Sequence, residues 1–345
     1  MCKDNQMCTT IKAVLVMKAL ATINNTAVVE VESFGDNVIQ EFLASKLGRA
    51  ETTLRTYRNA LRQLFRFFSA NKITAPSKAD VQSFISGLQK KSQPTQRLYC
   101  TVTKNFFAWL AREGYYMDVA ANIDVRLEKE KTHAKKALNN QQAQKLLASV
   151  TGETVLAIRD RAIVALCLTA GLRTCEVSRA DVEDLESDGC GGYFLSVQGK
   201  GKKSKGAKVR VAPTVSAIID EYLSVRGEVK KEFVDKGNKQ VEVTPLFSSE
   251  SHSNRGVRLS VQSVGKMLAR RMKAAGVHKA HTVTAHSTRH YCATQAIKAG
   301  VDLREVSAML RHSNLNVTMT YLHDLEVENR RAEFTVAASL FGGAA

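Results

Sequence analysis

Apolar positions recur at helical spacing through most of the chain. In "ETTLRTYRNALRQLFRFFSAN", Leu54, Tyr57, Leu61, Leu64, Phe65 and Phe68 fall on one helix face, and Arg55, Arg58, Arg62 and Arg66 form a second stripe. Pro76 and Ser77 in "APSKAD" mark the start of a second helix, "VQSFISGLQ". A third, over roughly 94–112, turns Leu98, Val102, Phe106 and Trp109 inward. Residues 34–122 therefore read as a small, basic helical bundle. The stretch "VRLEKEKTHAKKALNN" is charged and aperiodic, which predicts an exposed linker over 123–140.

A larger domain is expected over 141–345. "RDRAIVALCLTAGLR" is an apolar helix stopped near Gly171. Tyr193, Leu195 and Val197 alternate, as do Val209 and Val211, so a β-hairpin forms around the turn "GKGKKSKGA". Further helices are predicted over about 214–224, 260–275, 287–299, 303–310, 315–322 and 325–341, with an exposed insertion at 228–243. The fold class is mainly α with a small β-sheet or hairpin. Residues 1–33 read as a short, partly disordered or docking segment; Lys18 breaks the apolar run of "IKAVLVMKALA", which argues against a signal sequence. No apolar run is long enough to span a bilayer.

Charge changes the picture most. Lysine and arginine number 50 against 33 acids, a net charge of +17, which favours a polyanionic partner, nucleic acid before membrane. Ser251 to Val301 contains nine lysines or arginines and no acid, so this stretch is expected to meet phosphate. The seven cysteines are odd in number and form no CxxC pair, as in a reducing compartment; in "IVALCLTAG" cysteine acts as a small hydrophobe.

The chemistry concentrates in "TAHSTRHYCAT". His286 and His290 stand four apart, the spacing at which two helical imidazoles share a metal. A metalloprotease helix needs glutamate after the first histidine, where this chain has Ser287, and Arg289 would set a cation beside the metal. The spacing of His286 and Arg289 fits an anion better, since residues three apart share a face and both groups donate to phosphate oxygens. His290 reads as helix packing, as do Tyr291, Tyr222 and Tyr193. Matching groups lie elsewhere: Arg173 and Glu176 in "TAGLRTCEV", Lys200 in the hairpin turn, and His312 and Tyr321 in "LRHSNLNVTMTYLH".

Four strings, "RDRAIVALCLTAGLRTCEV", "VQGKGKKSKGAKVRVAP", "HSTRHYCATQAIKAGVDLREVSAML" and "RHSNLNVTMTYLH", occur in the order found in the tyrosine recombinases of the phage integrase family. The chain resembles that family over residues 36–340, and its compact Xer-type members most in style. The resemblance implies a helical core-binding domain and a catalytic domain that clamp double-stranded DNA. It implies Arg173 and Arg289 as phosphate-binding arginines, Lys200 as general acid, and His286 as the candidate proton acceptor. It further implies His312 as the second active-site histidine, Tyr321 as nucleophile and Glu176 as the acidic brace. Among the turn lysines, Lys202, Lys203 and Lys205 are rivals of Lys200; with Arg55, Arg58 and Arg62 they are the expected DNA contacts.

A phenol with a pKa near 10 is only about a thousandth ionised at pH 7, so Tyr321 needs both a proton acceptor and a positive setting. The expected product is a 3′-phosphotyrosyl link with a free 5′-hydroxyl, formed with no cofactor and no metal. The resemblance also implies a homo-tetramer on two DNA duplexes joined through a C-terminal docking helix, a Holliday-junction intermediate, and work in the cytoplasm at the nucleoid. An accessory protein or partner recombinase is compatible with it. Alternatives in other classes are a type IB topoisomerase-like strand-swivelling enzyme and a non-enzymatic architectural DNA-binding protein. Two departures stand out: Arg311 where the family often has glycine, and Thr288 where leucine is commoner. Residues 1–33 are too short for the arm-binding domain of larger phage integrases.

Overall fold

A computed structural model of the chain describes residues 37–123, 137–199, 204–236, 239–277, 283–312 and 314–328. The expectations for residues 1–33, for most of the linker, for Lys200, Lys202 and Lys203, and for a helix running to 341 lie outside them. The chain divides into two compact units, Met1–Lys129 and Glu130–Ala345, mostly helical with small antiparallel sheets.

The first unit holds α1 (37–44), α2 (Glu51–Ala70), α3 (Lys78–Gly87) and α4 (Gln93–Arg112). The apolar stripe of α2 buries Leu61, Leu64 and Phe68, and α4 buries Val102, Phe106 and Trp109. Phe42 of α1 packs edge-on to Phe106 at 5.4 Å and to Trp109 at 5.5 Å, a ring geometry that aromatic quadrupoles favour. Ser77 starts α3 as expected: its hydroxyl accepts from the Asp80 N–H while Asp80 reaches back to the Ser77 N–H at 2.8 Å. Arg55 and Arg62 are exposed, whereas Arg58 is half-buried and donates to Gln40 Oε1 at 3.3 Å.

The second unit is built on α6 (Val155–Thr169), after α5 (Asn140–Ala148). Apolar on nearly every side, α6 is buried all round and forms the centre of the unit. Next come α7 (Thr174–Arg179) and a three-stranded antiparallel sheet, β1 (Leu185–Ser187), β2 (Tyr193–Val197) and β3 (Ala207–Val211). The expected hairpin is β2–β3, with Tyr193 opposite Val211 and Leu195 opposite Val209; Leu195, Val197, Val209 and Val211 face the core. After α8 (Pro213–Val225), the segment expected as an exposed insertion forms a second hairpin, β4 (Glu232–Lys236) and β5 (Lys239–Val243). Its charges, Glu232, Asp235, Lys236, Lys239 and Glu242, follow no two-residue period, so the sequence carries no clear strand signal there. Then come α9 (Val261–Ala274), α10 (Ala285–Lys298) and α11 (Leu303–Met309). The last, α12 (Leu315–Glu328), runs through the expected break near 323, since "YLHDLEVE" contains neither glycine nor proline to stop it.

The acid-free stretch from Ser251 to Val301 is not simply a phosphate-facing surface. Acids from remote segments meet its arginines: Arg258 pairs with Asp181 and Glu232, and Arg270 and Arg271 pair with the buried Asp160. Charge counted along the chain misses partners that folding brings in. Among the described cysteines Cys100, Cys167 and Cys292 are buried thiols, and burial pushes the Cys167 pKa up to about 12.

Candidate active site

The site begins where α6 ends. Gly171 takes a left-handed φ of 58°, and a Cβ there would stand 2.7 Å from the Leu310 side chain, so both conformation and space demand glycine. Arg173 then caps α7, whose third residue, Glu176, reaches back to accept the Arg173 N–H at 2.8 Å. Fully buried, Glu176 also accepts from Arg173 Nη1 (3.0 Å), Arg311 Nε (3.2 Å) and Arg311 Nη2 (2.6 Å). Arg289 Nη1 lies 4.0 Å from the same carboxylate. Burial pushes the Glu176 pKa up, but hydrogen bonds and charge from Arg311, then Arg173, reverse this and hold it below the usual carboxylate range.

Arg289 projects from α10 and is 0% exposed. Its Nη1 donates to the Gly171 carbonyl at 2.6 Å and its Nη2 to the Leu310 carbonyl, which fixes the guanidinium plane; Nε has no hydrogen-bond partner among the described residues. Burial, then repulsion from Arg173 and Arg311, draws its pKa down to about 10, so it stays charged at neutral pH. A desolvated guanidinium with an unused donor, beside a second arginine, is a strong locus for an anion.

His312 is set by the end of α11. Arg311 N–H donates to Ala308 O at 2.9 Å and His312 N–H to Ser307 O at 3.0 Å, the bond pair of a Schellman stop. That motif needs a left-handed residue, and Arg311 supplies it with a φ of 56°. His312 Nδ1 lies 2.9 Å from the Thr318 hydroxyl on α12. Burial, then the charges of Arg289, Arg173 and Arg311, lowers the His312 pKa to about 4, which leaves the imidazole neutral at pH 7.

Tyr321, 3% exposed on α12, shares a small apolar cluster with Ala293, Val306 and Leu310. Its ring stacks on His312 at 6.0 Å and meets the His290 ring edge-on at 4.9 Å. His290 in turn meets His286 at 4.8 Å. The Thr284 N–H donates to Ser287 Oγ at 3.0 Å, so α10 starts at 285 and His286 sits exposed in its first turn.

Arg173, Glu176, Arg289, His312 and Tyr321 therefore converge from four separate segments, with His286 next to them through His290. His290, expected only to pack, touches the Tyr321 ring. Lys205, expected to contact DNA, points inward and pairs with both Asp181 and Asp184, 19% exposed. The acids beside it lie about twenty residues upstream, and no local pattern linked them to the turn. Arg311, which stands where the family often has glycine, has its side chain buried against Glu176. The one local signal was a non-glycine at a helix stop. Among the described residues, no group of three or more His, Cys, Asp or Glu side chains could hold a metal ion.

Residues 136–328 match the phage integrase family, and residues 39–114 match the phage integrase N-terminal SAM-like domain. The chain is 30% identical to tyrosine recombinase XerC of Thermodesulfovibrio yellowstonii over 284 residues, covering 80% of this chain and 87% of the relative. It is also 30% identical to XerC of Alcanivorax borkumensis over 290 residues, covering 83% and 88%. Its fold resembles the XerH site-specific recombinase bound to a palindromic difH substrate (TM-score 0.64, 19% identity, 95% and 94% covered). It also resembles a lambda integrase tetramer bound to a Holliday junction (0.63, 14%, 84% and 76%). The chain belongs to the phage integrase family, and its activity is that of a site-specific tyrosine recombinase, which cleaves and rejoins DNA.

Proposed function

We propose that Tyr321 is the nucleophile of this reaction, and that the single observation carrying the assignment is its convergence with Arg173, Arg289 and His312 around Glu176. In this reading the scissile phosphate sits over Arg173 and Arg289, whose forks neutralise charge building on its non-bridging oxygens. His312, neutral at working pH, adds an N–H donor without a further charge, its Nδ1 oriented by Thr318. The Tyr321 oxygen bonds to phosphorus as the bond to the 5′ oxygen breaks. The phenolic proton passes to a histidine, with His286 as acceptor and His290 placed against the tyrosine ring, and Lys200 delivers a proton to the departing 5′ oxygen. The products are a 3′-phosphotyrosyl link and a 5′-hydroxyl, and the second strand's 5′-hydroxyl reverses the step, with no external energy source.

We further infer that the chain works as a homo-tetramer on two duplexes through a Holliday junction, as the lambda integrase neighbour is seen to assemble. Arg55, Arg58 and Arg62 contact DNA phosphate, as do Lys202 and Lys203. The setting is cytoplasmic; among the described residues no helix is long and apolar enough to cross a membrane.

The test starts from the site that the purified protein selects out of random duplexes. That site is nicked to make a suicide substrate and incubated with the protein in EDTA. A covalent adduct is expected, and Tyr321→Phe should abolish it. An adduct that survives the substitution, or one that needs added metal, defeats the assignment.

A further inference from the structure

We propose that Arg311 is a positioning residue: its guanidinium clamps the Glu176 carboxylate and the Gly171 carbonyl, and so aims Arg173 and Arg289 at the scissile phosphate. This rests on the site reading above and adds a residue to it.

The position is a paradox for an arginine. The Schellman stop of α11 puts residue 311 at a φ of 56°, where glycine is free of strain and an L side chain is not. The strain is offset by what the side chain reaches. It is 7% exposed, and its Nε and Nη2 form a fork on the two oxygens of Glu176 at 3.2 and 2.6 Å. Nη1 donates to Met309 O at 2.5 Å and Nη2 to Gly171 O at 3.3 Å. Gly171 O is also the anchor of Arg289, and Glu176 the anchor of Arg173. One side chain thus ties together the two groups that orient both arginines, from the residue immediately before His312. A glycine there would keep the turn and lose the clamp.

Three cations face the buried carboxylate: Arg173 from α7, Arg289 from α10 and Arg311 after α11. The Cys167 thiol of α6 faces it too and stays protonated. Among the influences that keep Glu176 ionised, those of Arg311 are the largest. Without it the carboxylate should take up a proton at higher pH and release its grip on Arg173.

The experiment compares wild type, Arg311→Gly and Arg311→Lys in single-turnover adduct formation on the suicide duplex across pH 5 to about 9. Each variant is repeated in a Glu176→Gln background. Arg311→Gly should cleave roughly thirtyfold more slowly at neutral pH, with DNA affinity within about twofold. The acid limb of its profile should move to higher pH, and the shift should vanish in the Glu176→Gln background. Arg311→Lys, which keeps the charge but not the fork, should fall between the two.

A wild-type rate with an unmoved acid limb for Arg311→Gly overturns the proposal. So does an equal fall at every pH that tracks a loss of thermal stability, since that describes packing alone. Should Arg311→Gly fail to fold, an unmoved limb in Arg311→Lys overturns it instead. Survival of the adduct in Tyr321→Phe would sink the site assignment separately, whatever Arg311 does.

Discussion

His312 Nδ1 and the Thr318 hydroxyl lie 2.9 Å apart, bridging the stop of α11 and the first turn of α12. Thr318 is fully buried, so water cannot replace it as a partner. The bond fixes the imidazole plane on the helix that also carries Tyr321, and so couples the two groups' positions. Thr318→Val keeps the shape and removes the bond. A net hydrogen bond of about 0.5–1.5 kcal/mol predicts roughly a two- to tenfold slower cleavage step. Single-turnover adduct formation at saturating protein reads it, and an unchanged rate would show that His312 is held by packing alone.

The depressed pKa of His312 has a thermodynamic counterpart. The unfolded chain takes up a proton near pH 6.5, the folded one only near 4. Between these values the unfolded state binds more protons, so this group's contribution to stability is complete above about 6.5 and is lost as pH falls towards 4. Melting temperatures of wild type and His312→Gln should therefore differ in pH dependence across that window and run parallel above it. Curves parallel throughout would mean that His312 titrates normally.

Much of the fold was legible, because amphipathic helices and an alternating hairpin carry their own periods. The stripe of Leu61, Leu64 and Phe68, the Ser77 cap and the pairing of Leu195 with Val209 all follow from local rules. The misreadings share one physical cause. Lys205, Arg258, Arg270 and Arg271 are cations whose acids lie 21 to 111 residues away, so nothing nearby distinguishes them from solvated charge. The β4–β5 ribbon was hidden because its charges follow no two-residue period, with Phe233 exposed and Val234 and Val241 only half-buried. In the site, residue types could be placed by motif, but the hub role of Glu176 and the inward turn of Arg311 depend on contacts over 135 residues.

Gly171 offers a sharp test of how the arginines are aimed. An added methyl would meet Leu310 at 2.7 Å in a backbone conformation that L residues avoid, so Gly171→Ala should cost about 1–3 kcal/mol of stability. The same carbonyl anchors Arg289 and touches Arg311, so cleavage should fall further than the melting temperature suggests. Activity measured well below the variant's melting point separates the two, and full activity there would show that the anchor is dispensable.

Arg289→Lys probes the anchor from the other side. Lysine keeps the charge but cannot donate at once to Gly171 O, Leu310 O and a phosphate in one plane. Loss of one preorganised donor set predicts a fall of about 10²–10³ in the cleavage rate. DNA affinity, measured by mobility shift, should hardly change; a matching loss of affinity would place Arg289 in binding rather than in catalysis.

The last prediction separates cations that meet DNA from those that meet protein. Lys205 pairs with Asp181 and Asp184, both buried, and removing it takes the cation from Asp184 while Asp181 keeps Arg258. Breaking a buried pair from one side costs about 3–5 kcal/mol, so Lys205→Ala should lower the melting temperature sharply and leave the salt dependence of DNA binding as it was. Arg55 and Arg62 are exposed on α2. If each neutralises one phosphate, alanine at either should leave stability nearly unchanged and reduce the slope of log affinity against log salt by about 0.9. A slope that moves with Lys205 and not with Arg55 or Arg62 would reverse the assignment, and would return the hairpin turn's base to the DNA surface.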